Sequence, residues 1–159
     1  MNCWASLGQT PFTVSHFDPA QPVWVESESR KVGELRVPER LIECMRASPC
    51  VHLELPTDAR VALLMADYDF FVNDVPTFCA RLDALRPLRG NEVINQLQAA
   101  AKSGRIEDVV RELLVSHYDP VYLQSMQRNF AGFGEALRVS PENGDASTLA
   151  GVAKDLLQS

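Results

Sequence analysis

The period of the apolar pattern changes several times along the chain, and the order of those periods most restricts the fold. After Pro22, Val23 and Val25 alternate with Trp24 and Glu26, which suits a short strand entering a polar turn. A charged connector, residues 28–36, follows. Pro38 stands where a first helical turn tolerates proline, and Leu41, Ile42 and Met45 recur at helical spacing. Residues 38–47 therefore read as a helix, ended by Ser48-Pro49. Residues 50–55 alternate again up to Pro56, whose missing amide hydrogen interrupts a ladder. Thr57 is placed to cap a helix bearing Ala59, Ala62, Leu63, Met65, Ala66 and Phe70. From Asp74 helical spacing dominates: Phe78, Leu82 and Leu85 with Pro87 beyond, then Asn91 to Gly104, then Ile106 to His117. A further helix, Val121 to Phe130, begins after Asp119-Pro120. Residues 136–139 suit a third strand, and a terminal helix capped by Asp145 or Ser147 carries Leu149, Val152, Leu156 and Leu157.

Strands alternating with helices are the pattern of an α/β layer with parallel strands. About three strands are few for a sheet that needs helices on both faces, so the pattern predicts part of a larger sheet followed by a helix-rich second half. A chain of 159 residues, 46% of them hydrophobic, fits one compact domain able to bury roughly two thirds of its unfolded surface. The longest uninterrupted apolar run, Val61 to Ala66, is far short of the ~20 residues of a bilayer-spanning helix. No membrane association is expected.

Fifteen basic against twenty-one acidic residues give a net charge of −6, which argues against a strongly basic nucleic-acid binder but not against a local basic face. Cys3, Cys44, Cys50 and Cys79 are widely spaced with no C-x-x-C, and no secretory leader is evident. A reducing cytoplasm is the expected compartment, with the cysteines as small core residues. His16, His52 and His117 are scattered, so no zinc site follows from spacing.

Chemistry concentrates in residues 25–33, where two carboxylates, two hydroxyls and two adjacent cations follow a predicted strand end. Arg30 and Lys31 suit a phosphate, and Glu26 or Glu28 a magnesium ion or a water. The other reading is a solvated turn with internal ion pairs. Arg36, Arg40 and Arg46 alternate with Glu34, Glu39 and Glu43 in the manner of a solvated helix. Arg81, Arg86, Arg89, Lys102, Arg105 and Arg111 outnumber the intervening acids and offer an RNA-facing rim. His117, Tyr118 and Tyr122 flank Asp119-Pro120, where base stacking or simple capping and packing both fit. The common phosphate-loop, dinucleotide, nucleophile-elbow and zinc-protease motifs are absent from the sequence.

Several stretches together resemble the bacterial tRNA 2-selenouridine synthases. They are Phe17-Asp18-Pro19, Pro22 to Gly33, Val37-Pro38, Met45 to Val51, Arg60 to Leu64 and His117 to Tyr122. The resemblance implies an enzyme that replaces the sulfur of wobble 2-thiouridine in tRNA with selenium from selenophosphate, through an S-geranyl intermediate made from geranyl diphosphate. It implies a P-loop kinase-like α/β fold, of which residues 17–159 are a C-terminal segment and 1–16 an irregular leader. In that family a rhodanese domain and a phosphate loop lie upstream of the matching text. The isolated chain is thus expected to bind no cofactor alone and to need that portion, or a chain supplying it, as partner. Carried over, the resemblance implies phosphate or substrate contact at Glu26, Ser27, Glu28, Ser29, Arg30 and Lys31, with magnesium as a candidate ion. It makes tRNA the partner of Arg86, Arg89, Arg105, His117 and Tyr118. The rival expectation is a non-catalytic tRNA-binding or structural module.

Overall fold

The computed structural model describes residues 22–26, 30–32, 34–68 and 73–158. The expected leader, Phe17-Asp18-Pro19 and the turn residues Ser27, Glu28 and Ser29 lie outside them. The chain divides into two compact units at positions 51/52, 125/126 and 137/138.

In the first unit the charged connector is a hairpin. β1 (Lys31–Val32) pairs antiparallel with β2 (Leu35–Arg36), with Lys31 opposite Arg36 and Val32 opposite Leu35. A further rung joins Val37 N to Arg30 O at 2.9 Å. The sequence signal is Gly33-Glu34, a two-residue connection with glycine first, between two short β-compatible pairs. The strand expected at Val23–Val25 does not form: residues 22–26 join no sheet. Two alternating valines suit a strand only where another backbone meets their amides, and here the nearby pairing is taken by the hairpin.

Helix α1 (Glu39–Ala47) follows Pro38 with Glu39 in its first turn and Arg46 in its last, both signs favourable to the helix dipole. It buries Ile42 and ends at Ser48, whose Oγ donates to Cys44 O at 2.7 Å. Gly132 packs against this end: a Cβ there would stand 3.1 Å from Ser48 O, and Ala131 N donates to Arg46 O at 3.1 Å. Strands β3 (Val51–Leu53) and β4 (Leu137–Val139) are neighbours. Leu137 N donates to Cys50 O at 3.1 Å and Glu54 N to Val139 O at 2.9 Å, the stagger of a parallel pair. The α/β class is therefore borne out, with one parallel pair and one antiparallel hairpin among the described residues in place of three parallel strands.

The second unit is helical. It contains α2 (Thr57–Asp67), α3 (Val75–Asp83), α4 (Arg86–Arg89), α5 (Asn91–Lys102) and α6 (Ile106–Leu113). Thr57 opens α2 after Pro56 without a side-chain cap. Pro87 lies beyond the end of α3, as expected, and sits in the first turn of α4, where no intrahelical partner is lost. Ile94 and Ala101 of α5 are wholly buried with Leu82 and Val109, because apolar residues recur at three and four on the facing sides of α3, α5 and α6. Helix α5 closes in a Schellman turn: Gly104, at φ +83°, donates to Ala101 O and Arg105 N to Ala100 O, both at 3.0 Å. Asp74 caps α3, accepting from Thr77 N at 3.0 Å and Thr77 Oγ1 at 2.6 Å, and these bonds hold its carboxyl below the usual range. The last helix is α8 (Ala146–Gln158).

Ile94→Ala removes a fully buried side chain and should cost about 2–5 kcal/mol, read from the urea midpoint. Because the folded-state pKa of Asp74 is depressed, its contribution is present above the unfolded value and disappears as pH falls through the folded one. Asp74→Asn keeps a capping oxygen but does not titrate. The stability advantage of wild type over this variant should therefore shrink from about pH 4 downward; an advantage independent of pH would contradict the assignment.

Candidate functional site

The segment expected to start a new helix at Asp119-Pro120 instead lies inside a continuous one. Helix α6 runs into a π-helical turn, Leu114–Tyr118, and then directly into α7 (Asp119–Asn129). Asp119 N donates back to Leu114 O, five residues earlier. Proline explains this. Pro120 has no amide hydrogen for the carbonyl four residues back, that of Ser116, and its ring crowds that carbonyl, so the helix widens there. The orphaned Ser116 carbonyl is taken by Arg89, whose Nη1 donates to it while Nη2 donates to Ser116 Oγ at 2.7 Å. Ser116 Oγ in turn donates to Glu112 O at 2.6 Å, and Glu112 Oε1 lies 3.6 Å from Arg89. Arg89, expected on the RNA rim, is thus a backbone cap.

Asp119 is equally committed. Its two oxygens accept from Arg60 Nη1 and Nη2 at 2.8 and 2.5 Å in a forked, partly buried pair. The Asp119 hydrogen bond above all, and then its charge, raise the Arg60 pKa against the lowering effect of burial. Arg60 and Asp119 stand in two of the resembling stretches, 59 residues apart, and meet here. Arg60 was not picked out as a site residue because no linear spacing connects it to Asp119. Tyr118 is left 53% exposed, its ring 5.0 Å from that of His117 and edge-on at 68°.

Among the remaining rim cations, Arg86 binds Asp83 at 2.7 Å and Asn95 at 2.9 Å. Gln98 closes the ring by donating to Asp83 and to Cys79 O, each at 2.8 Å. Arg86 chiefly, with Gln98, holds the Asp83 carboxyl below its ordinary range. Arg111 is drawn to Asp58 and Glu107. Arg105 remains exposed, 3.8 Å from Asp108. The rim is therefore mostly spent on internal contacts, and of the expected tRNA-facing residues Arg105 and Tyr118 present themselves most openly.

In the first unit, Glu26, Arg30 and Lys31 are exposed. Arg30 donates through Nη2 to both carboxylate oxygens of Glu39. Arg30 immediately precedes β1, and by strand alternation its side chain and that of Lys31 leave the hairpin on opposite faces. Arg36, opposite Lys31 in the register, shares its face. Neither Arg30 nor Lys31 lines a cleft of about 170 Å³ in this unit, walled by Trp24, Val25, Met45, Cys50, Met126 and Phe130, with Val23, Ser48, Pro49 and Val51 completing it. Its side chains are apolar apart from Ser48 and Cys50, which brings a free thiol, while backbone groups give much of the wall a polar surface. The sequence pattern showed Cys50 and Met45 as ordinary strand and helix residues; only the fold gathers them. Among the described residues no cluster of His, Cys, Asp and Glu is arranged to hold a metal, and no helix is long and apolar enough to cross a membrane.

Residues 12–89 match the family model of the tRNA 2-selenouridine synthase AAA domain, a stretch that carries the hairpin and most of the cleft wall. Just under half of the chain is thus similar to a domain of the tRNA 2-selenouridine synthases. A curated tRNA 2-selenouridine synthase from Marinobacter nauticus is 27% identical over 128 residues, covering 64% of this chain. The chain spans about a third, 35%, of that relative's length. No solved structure matches significantly.

Arg89→Ala should destabilise the protein by about 1–3 kcal/mol, the cost of a carbonyl and a hydroxyl losing a charged donor. Pro120→Ala restores the missing amide. In the Pro120→Ala background the same Arg89 change should cost markedly less, measured as a double-mutant cycle in urea. Full additivity would show that Arg89 does not serve the proline-orphaned carbonyl.

Proposed function

We propose that the chain works as part of a tRNA 2-selenouridine synthase, a cytoplasmic transferase that exchanges the sulfur of wobble 2-thiouridine for selenium from selenophosphate through an S-geranyl intermediate. In this reading tRNA is the macromolecular substrate. The phosphate loop and rhodanese portion come from sequence outside these residues or from a partner chain. The observation that carries the reading is the family match over residues 12–89, which falls on the hairpin and on the cleft wall.

The cleft suits the apolar end of a geranyl chain. At about 170 Å³ it is the size of a dry cavity of ~150 Å³ that takes one benzene, so it admits roughly one isoprene unit rather than the whole chain. Burying about five carbons at ~0.8 kcal/mol each contributes roughly 4 kcal/mol, a dissociation constant near 1 mM from this contact alone. Contacts to the diphosphate must supply further affinity. Met45, Met126 and Phe130 give the wall polarizable surfaces that adapt to an unsaturated chain.

Trp24 lines the cleft and is 47% exposed, so its fluorescence reports occupancy. Geranyl diphosphate should shift tryptophan emission to the blue, inorganic diphosphate should not, and Trp24→Phe should abolish the shift. Equal responses to the two ligands would remove the cleft from the site. For the activity itself, the chain combined with the phosphate-loop and rhodanese portion should yield 2-selenouridine in nucleoside digests of thiolated tRNA. Absence of the product would overturn the reading.

A further inference from the structure

Around the π turn, Glu112, Ser116 and Asp119 all have partners. Glu112 faces Arg89, Ser116 Oγ accepts from Arg89 and donates to Glu112 O, and Asp119 is forked by Arg60. His117 and Tyr118, in the middle of the same run, are not drawn into this network. Their one side-chain interaction of polar or ring type among the described residues is with each other, at 5.0 Å and 68°. An edge-on neighbour covers at most one face of a ring, so the other face of Tyr118 stays open to solvent, in keeping with its 53% exposure. One helical turn on, Val121 and Tyr122 are 58% and 42% exposed. They flank Tyr118 on that side of the helix, because residues three and four apart are neighbours there. Half-exposed side chains of these sizes together offer at most about 300 Å², well short of the roughly 800 Å² that each partner contributes to a stable protein interface. A single flat ring is the ligand that such a patch fits.

We propose that Tyr118, flanked by Val121 and Tyr122, is a stacking platform for one unpaired nucleobase of RNA. Every nucleobase has a π-face, so the platform adds affinity without reading sequence. His117 acts as a positioning residue: edge-on to the tyrosine, it restricts the rotation of that ring and keeps the open face outward. Charge has little part in the contact, since the cations tied to this segment, Arg60 and Arg89, are already engaged by Asp119 and Ser116. The base must be one splayed out of its stack, as the loops and single-stranded ends of an RNA provide and a regular duplex does not. The proposal deepens the reading of the chain as part of a tRNA-modifying synthase, and it rests on that reading for the choice of RNA as the source of the ring.

The test uses the full chain with Tyr118→Ala, Tyr118→Gln and Tyr118→Phe, each checked for native circular dichroism. Binding of unfractionated bacterial tRNA, of a short unstructured RNA strand and of a blunt RNA duplex of the same length is followed by fluorescence anisotropy at several salt concentrations. Tyr118→Ala should weaken binding of the single strand or of tRNA about tenfold, the loss of one stacked base. The slope of log affinity against log salt should not change, because no phosphate contact is removed. Tyr118→Gln, which also lacks the ring and suits a helix, should repeat the loss. Tyr118→Phe keeps the ring and should stay within twofold of wild type, and the duplex should not distinguish the four proteins. Affinities of Tyr118→Ala and Tyr118→Gln within twofold of wild type for both single strand and tRNA overturn the proposal. So does an equal loss from Tyr118→Phe, an equal loss toward the duplex, or no binding of either RNA by wild type. Sedimentation showing self-association that Tyr118→Ala abolishes overturns it too, in favour of a protein interface. None of these measurements needs turnover. An inert Tyr118 therefore leaves the synthase reading intact, and absent 2-selenouridine formation with ring-dependent RNA binding does the reverse.

Discussion

A hydrogen that Pro120 does not have organises much of the helical unit. Without that donor the Ser116 carbonyl loses its usual partner four residues on, and a half-buried carbonyl left bare costs as much as a lost hydrogen bond. The widened turn over Leu114–Tyr118, the placement of Arg89 and the bond from Ser116 to Glu112 all answer that one deficit. The neighbouring Arg60–Asp119 fork ties the same place to the start of α2. A stretch that looks like recognition chemistry, with a histidine and two tyrosines around an acid, is in its first role a repaired break in a long helix.

Legibility in the sequence followed the range of the interaction concerned. The helices from Asp74 to Lys102 were readable because their signals are local: a capping carboxylate with its threonine at Asp74 and Thr77, and a glycine that can adopt positive φ at Gly104. β3 and β4 were readable as short apolar runs bounded by Ser-Pro and Gly-rich segments. The hairpin was obscured because charges at Arg30, Lys31, Glu34 and Arg36 mask its two-residue strands, and a ladder depends on partners rather than on propensity. Asp119-Pro120 misled for a related reason. Asp followed by Pro is a common helix opening, and only the pairing of Asp119 with a residue 59 positions earlier shows that its carboxylate is already occupied. The sequence does carry one relevant signal, since a proline inside a helical period strands the carbonyl four residues back.

The candidate site shows the same division. Arg30 and Lys31 are adjacent in sequence, yet the pleat gives them to opposite faces, and Arg30 answers to Glu39. The cation that joins Lys31 is Arg36, which sequence proximity would assign to the following helix. The apolar cleft has no linear signature at all, since its walls come from an irregular segment, a helix, a strand and the end of α7. Both features fall largely within the residues related to the synthase family, whereas most arginines of the helical half are engaged in holding that half together.

The π turn also sets the phase of everything that follows it. One extra residue is accommodated between Leu114 and Tyr118, and a single residue advances an α-helix by about 100°. Insertion and deletion at this point are therefore not equivalent to length changes elsewhere on the surface. Trimming one residue would let the widened turn close to an ordinary α-helical one, keeping the downstream face in phase but driving the Pro120 ring against the carbonyl four residues before it.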